Sequence, residues 1–298
     1  MWESVFYSLF PSSAVHFSPF CSLVWAGLTI FAPSLVRGSG FGEALFGVCS
    51  PAFFTDFIRA FTHMSCILLI DTSTAACSVA LCEDTQVIYA DEDTQGPNHN
   101  VLLGSFVDQA LSFADSHAIP VDAVAVSSGP GSYTGLRIGV SMAKGVAYGL
   151  GVPLIGVPTL KVMATPVLLY QEEELPDDAL LCPMIDARRM EVYFALYDRA
   201  LAEHLPVQAQ VVTPELFLPF LEKGPVYFFG TGAEKCKAVL THSNARFVDG
   251  ILPLARHMAP LAERAYLRGE FADTAYFEPY YLKDFVAGKS RDMLKETR

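Results

Sequence analysis

The sequence predicts an α/β fold in two lobes, and three observations carry that prediction. An apolar run at 121–126 passes through Ser127-Ser128-Gly129-Pro130-Gly131-Ser132-Tyr133-Thr134-Gly135-Leu136-Arg137-Ile138-Gly139 into a long helix of small residues. A second apolar run at 67–70 ends in Asp71-Thr72-Ser73-Thr74 and is followed at once by another, at 77–81. A charged, proline-bearing stretch at 171–178 then separates this half from a second set of apolar runs. Strands alternating with helices build layered α/β domains, and a polar break between two such sets reads as an inter-lobe loop.

The elements follow in order. Strands are expected at 65–71, 77–83, 86–91 and 121–127. Between the last two, Gly96-Pro97-Asn98 reads as a loop and cap, after which Leu103, Phe106, Val107, Ala110, Leu111 and Ala114 recur at helical spacing. Gly129 and Gly131 flank a proline, so the chain can turn sharply there, and Ser132 and Thr134 can cap the helix that follows. A short strand at 153–157 closes the first lobe. The second lobe offers strands at 180–185, 191–197 and 225–230. It also offers a short helix at 214–221, with Thr213 as cap and Pro214 in its first turn, and a last helix at 255–268 ended by Gly269. The lobes are drawn at 64–165 and 166–298, with a polar tail after Lys283.

Residues 1–63 differ in kind. They are rich in Phe, Ser and Pro and carry only Glu3, Arg37, Glu43, Asp56 and Arg59 as charges. A secretory signal needs a basic start, and a membrane span needs about twenty apolar residues in a row. The longest uncharged apolar block here, 21–32, is bracketed by Pro19 and Pro33. The expectation is that translation starts at Met64 and that no membrane anchor is used.

Composition bounds the chemistry. Of 20 Lys+Arg and 32 Asp+Glu in the 298 residues, two and three fall in the first 63, leaving 18 against 29 and a net charge of −11. That opposes a long phosphate-tracking surface, so any service to nucleic acid is expected to be indirect. The seven cysteines have no C-x-x-C pair, which fits reduced thiols in a cytoplasmic protein. No two of the seven histidines (16, 63, 99, 117, 204, 242 and 257) are four apart, so no helical metal pair is legible. His99, near a helix start, reads as a surface or capping residue.

Two polar turns are candidate sites. An acidic residue at a strand end followed by hydroxyls suits metal or phosphate contact, and a helix start after a glycine-rich turn offers N–H groups to an anion. This makes Asp71, Thr72, Ser73, Gly129, Gly131 and Ser132 a candidate nucleotide site. A hairpin with a polar turn and a strand-to-helix turn that only packs remain the plain alternatives. Gly230-Thr231-Gly232 has two readings, a remnant turn of the nucleotide site or, on so short a pattern the better one, a plain turn. Gly135, Gly139, Ala143 and Ala147 form a narrow smooth stripe at four-residue spacing, suited to close approach either by the chain's own sheet or by a partner helix.

Together with Pro153-Leu154-Ile155-Gly156-Val157-Pro158-Thr159-Leu160, Ile185-Asp186-Ala187-Arg188-Arg189-Met190-Glu191-Val192-Tyr193 and Glu278-Pro279-Tyr280-Tyr281-Leu282, these motifs resemble the TsaB (YeaZ) family from residue 64 to about 284. The resemblance implies a duplicated actin-like, or ribonuclease-H-like, ATPase fold with a degenerate active site. It implies a non-catalytic subunit in threonylcarbamoyladenosine modification of tRNA. Such a subunit would bind and activate the catalytic paralogue TsaD, be joined by the ATPase TsaE, and touch tRNA only through the complex. It assigns the stripe's helix to a partner interface, with TsaD or with a second copy of the chain as a homodimer. It leaves ATP or ADP as at most a shared ligand. TsaD carries a His-x-x-x-His metal pair where this chain has Val157-Pro158-Thr159-Leu160-Lys161-Val162-Met163, so no catalytic or metal residue is assigned. The competing expectations are a free-standing ATPase or glycoprotease-like metallohydrolase using Asp71, and a form tethered to a membrane by residues 1–63.

Overall fold

A computed structural model describes residues 65–96, 98–170 and 175–282. The expectations for residues 1–63, the Met64 start and the polar tail lie outside the described residues. Sheet A is built from β1 (Cys66–Asp71), β2 (Cys77–Glu83), β3 (Gln86–Asp93), β4 (Ala123–Gly129) and β5 (Leu154–Pro158), in the order β3-β2-β1-β4-β5. β1 pairs antiparallel with β2 and parallel with β4. Two 18-residue helices cover one face: α1 (His99–Ser116) between β3 and β4, and α2 (Tyr133–Leu150) between β4 and β5. Sheet B contains β6 (Leu180–Asp186), β7 (Glu191–Tyr197), β8 (Glu203–Val211), β9 (Val226–Phe229) and β10 (Ala245–Val248), ordered β10-β9-β6-β7-β8. Among the described residues the remaining α-helices are α3 (Thr159–Tyr170), α4 (Pro214–Leu221) and α5 (Ala259–Leu267), the last preceded by a 3₁₀ turn at Ala255–Met258.

The period-two rule of strands explains the layering. Along β1, Cys66, Leu68 and Ile70 face α1 and α2, while Ile67 and Leu69 face the opposite side. On that opposite side they meet Leu160, Met163 and Val167 of α3, Ala259 and Ala262 of α5, and Leu181 and Ile185 of sheet B. The other face of sheet B buries Phe194, Phe217 and Phe228, with α4 against it. The layers therefore run α1/α2, sheet A, α3/α5, sheet B, α4. All six residues of β1 are buried, as expected of a central strand covered on both faces.

Four features depart from the sequence reading. α3 was not expected: its apolar residues surround the helix because it is buried between two sheets, so no amphipathic period marks it. Two sheet-edge strands, β8 and β10, were also not expected. β8 carries Pro206 and alternates polar residues, which the edge position tolerates. The last segment does not stay with the second lobe as drawn at 166–298. Ala255 donates to the Ser78 hydroxyl of β2 (2.9 Å), Ala272 bridges Leu154 of β5, and the Tyr280 amide donates to the Ser128 carbonyl (2.7 Å). Among the described residues no helix is long and apolar enough to cross a membrane.

Candidate functional site

The parallel pairing of β1 with β4 brings the two polar turns together. Ile70 lies opposite Val126, so Asp71 emerges beside Ser127 and the hairpin turn meets the start of α2. Ser127 donates its hydroxyl to one carboxylate oxygen of Asp71, and the Ser73 amide (2.9 Å) and hydroxyl (2.8 Å) donate to the other. The Ser132 amide donates to the Ser73 carbonyl (2.7 Å), and Thr72 Oγ1 donates to the Gly135 carbonyl (2.8 Å). Ser132 is the N-cap of α2, accepting from the Gly135 amide at 3.3 Å. The six residues of the candidate nucleotide site are thus assembled, but Asp71, Thr72 and Ser73 are buried and their polar groups are spent within the turn. Burial pushes the Asp71 carboxyl up from 3.8 to about 6, outweighing the three hydrogen bonds that favour its charge. The carboxyl is enclosed within the turn, and Asp71, Thr72 and Ser73 with their partners at the start of α2 form a structural clasp.

Close packing makes the clasp. A Cβ on Gly131 would overlap the Ser73 carbonyl oxygen, one on Gly135 the Thr72 carbonyl oxygen, and one on Gly139 the Thr72 hydroxyl. This also corrects the partner-interface assignment of Gly135, Gly139, Ala143 and Ala147. All four are buried, and the two alanines lie in the core shared with β1 and β4. Small residues are needed there because the sheet approaches closely, so no partner helix can touch that stripe.

The outward side of α2 is different. Tyr133, Thr134, Arg137, Ile138, Met142 and Val146 line a groove of about 760 Å³. Its mouth is aromatic: the Tyr133 ring lies 4.7 Å from that of Tyr281, and the Arg137 guanidinium sits over Tyr133 at 5.6 Å. The 278–282 motif is therefore beside the start of α2, and Lys144 secures its approach by donating to the carbonyls of Ala275 (2.9 Å) and Phe277 (3.1 Å). Tyr148, near the other end of the helix, is 85 % exposed. Sequence reading missed this face because its apolar positions are interleaved with polar ones and the glycine stripe is the stronger pattern.

The remaining assignments resolve as follows. His99 is buried, with Nε2 2.9 Å from the Thr74 carbonyl, and ties α1 to the hairpin. Val157 and Pro158 end β5, and 159–163 begin α3, where Leu160, Val162 and Met163 fill the core and Thr159 Oγ1 accepts from the Gly129 amide (3.2 Å). Among the described residues no group of three or more His, Cys, Asp or Glu is placed to hold a metal. Gly230, at φ +100°, occupies a conformation that L side chains rarely adopt, and a Cβ there would overlap Met163. Thr231 Oγ1 accepts from the Asp186 amide (3.1 Å), so this segment is a packed turn.

Comparison with known proteins agrees with this architecture. The family model for TsaD, tRNA N6-adenosine threonylcarbamoyltransferase, matches residues 93–289. The chain is 32% identical over 233 residues to the tRNA threonylcarbamoyladenosine biosynthesis protein TsaB of Haemophilus influenzae, covering 75% of this chain and 95% of that one. It is 34% identical over 230 residues to TsaB of Escherichia coli K12, covering 75% and 96%. Among solved structures, a Pseudomonas aeruginosa protein described as similar to the peptidase YeaZ superposes with a TM-score of 0.61 at 29% identity, over 74% of this chain and all of that one. YeaZ from the same organism gives 0.57 at 28%, with the same coverage.

Proposed function

The chain belongs to the TsaB family of tRNA threonylcarbamoyladenosine biosynthesis proteins, with the duplicated actin-like fold, and from that premise we propose that it is the non-catalytic activator subunit of the modification complex. It docks the catalytic paralogue TsaD on the outward face of α2, with TsaE joining the assembly. The observation that carries this reading is the contrast between the two sides of one helix. The inner side is consumed by the clasp around Asp71, and the outer side offers an apolar groove with a Tyr–Arg mouth. Tyr, Arg and Met are the residues enriched where protein surfaces meet.

Activation by such a subunit is differential binding. The protein shifts TsaD toward its transferring conformation only to the extent that it binds that conformation more tightly. The clasp gives the docking helix a fixed position on the sheet, so little ordering cost falls on association. No chemical step is assigned to this chain.

The test is threonylcarbamoyl transfer to tRNA by TsaD and TsaE from supplied threonylcarbamoyl adenylate, with and without the protein. Transfer that depends on it and survives Asp71→Asn supports the reading. Nucleotide turnover by the protein alone, abolished by Asp71→Asn, would instead favour the free-standing ATPase. Arg137→Glu and Ser141→Arg, both at exposed positions on the groove face, are expected to weaken TsaD binding at least tenfold in a titration while leaving the melting temperature unchanged.

A further inference from the structure

The turn between β6 and β7 shows a second surface, far in sequence from α2. Arg188 and Arg189 are consecutive, exposed and both in the left-handed region, at φ 67° and 55°. A tight hairpin demands this backbone, and Gly, Asn or Asp meets the demand with least penalty. The β2–β3 hairpin uses Asp84 and Thr85 for the same geometry. Here two long cationic side chains stand in those places.

The turn is held from beneath. The Asp186 carboxylate accepts from the Arg188 amide (2.8 Å) and from Lys235 Nζ (2.6 Å) through the same oxygen. Lys235 also donates to the carbonyls of Arg189 (3.1 Å) and Glu191 (2.7 Å), and the Ala187 amide donates to the Glu191 carbonyl (3.1 Å). A strained conformation persists where its surroundings over-determine it, as these bonds do. They also settle the local charge. Asp186, the carboxylate at the base of the turn, is neutralised by Lys235, while among the described residues no ion pair or hydrogen bond reaches either arginine guanidinium. The tip therefore offers two planar, permanently charged forks on a fixed backbone, at the carboxyl ends of the parallel strands β6 and β9.

From this we infer that Arg188 and Arg189 form a phosphodiester-binding tip that contacts the backbone of the tRNA handled by the assembled complex. The inference rests on the proposed function for the identity of the RNA. An RNA strand fits better than an acidic protein segment. The tip supplies charge and a fixed fork, and its only sizeable apolar group is the half-exposed Met190, whereas protein docking is anchored by buried apolar or aromatic groups. The chain's overall acidity confines such a contact to this tip, so the tip adds affinity inside the complex without making the subunit an RNA-binding protein by itself.

The experiment measures tRNA binding by the reconstituted complex as a function of salt. Each phosphate contact contributes about 0.7 to 0.9 to the slope of log K against log salt, so Arg188→Ala/Arg189→Ala should flatten the slope by about 1.4 to 1.8. Arg188→Gly/Arg189→Gly should give the same loss in a turn relieved of its backbone penalty, which removes misfolding as the explanation. Arg188→Lys/Arg189→Lys should keep most of the slope, and Arg246→Ala, an exposed arginine on β10, should change it by less than half as much. An unchanged slope for the alanine pair, with the complex assembled and active, overturns the inference and leaves the proposed function intact. Loss of complex assembly by that variant, with tRNA binding by the residual complex unaltered, also overturns it and assigns the tip to an acidic protein partner. Failure of the wild-type protein to assemble with TsaD at all counts against the proposed function instead.

Discussion

Asp71 shows how a single residue reads differently in sequence and in space. A strand-end aspartate followed by three hydroxyls has the composition of a phosphate or metal turn, and the sequence cannot tell whether those hydroxyls face solvent or one another. The fold turns them inward, and the consequence is measurable. Because the folded carboxyl sits at about 6 and the unfolded one near 3.8, the group's contribution to stability is fully present below pH 3.8 and is lost as pH rises through 6. The difference amounts to about 3 kcal/mol across that window. Chemical denaturation at pH 5 and pH 8 should therefore show wild-type protein losing stability toward pH 8 and Asp71→Asn losing markedly less. Equal pH dependence in both proteins would mean that the carboxyl is not buried as described.

On the scale of the element, α2 carries two kinds of glycine that its sequence does not distinguish. Gly139 meets the Thr72 hydroxyl, whereas Gly149 has open space around it. Gly139→Ala is expected to cost about 1–3 kcal/mol through overpacking, despite its better helix propensity, and Gly149→Ala to gain up to about 1 kcal/mol. Urea midpoints of the two variants should move in opposite directions; movement in the same direction would refute the inward placement of the stripe. The small-residue spacing did identify a close-approach face. It did not say what approaches, because a sheet and a partner helix impose the same size limit on a helix surface. α3 gives the converse case: a helix buried over most of its surface has no polar face to reveal its period.

Over the whole molecule, the two halves of the sequence are not two independent bodies. α3 and α5 lie in the core shared by sheets A and B, and the chain after Val248 returns to sheet A through Ala255, Ala272 and Tyr280. The described residues between 65 and 282 accordingly belong to one compact unit. Unfolding should be a single cooperative transition, with hydrogen exchange at the amides of β1 and β6 reporting the same global free energy. Ser78→Ala, which leaves the buried Ala255 amide without its acceptor, should lower that free energy by about 1–3 kcal/mol at both sheets together. A loss confined to sheet A would show that the halves unfold separately.

The sequence by itself determined the order of the long strands and helices, the turn at Gly129–Ser132 and the resemblance to one family. These rest on local periodicity, on turn chemistry and on motifs contiguous in the chain. The tertiary structure alone decided that Asp71 is enclosed, that the Gly135–Ala147 stripe faces the sheet, that α3 exists between the sheets, and that the arginine pair at 188–189 stands on a cemented turn. Each of these depends on which distant segment fills the adjacent space: Ser127 beside Asp71, Thr72 against Gly139, Lys235 beneath Arg189. Such pairings are set by packing between residues 46 to 67 positions apart in the chain, and no local pattern encodes them.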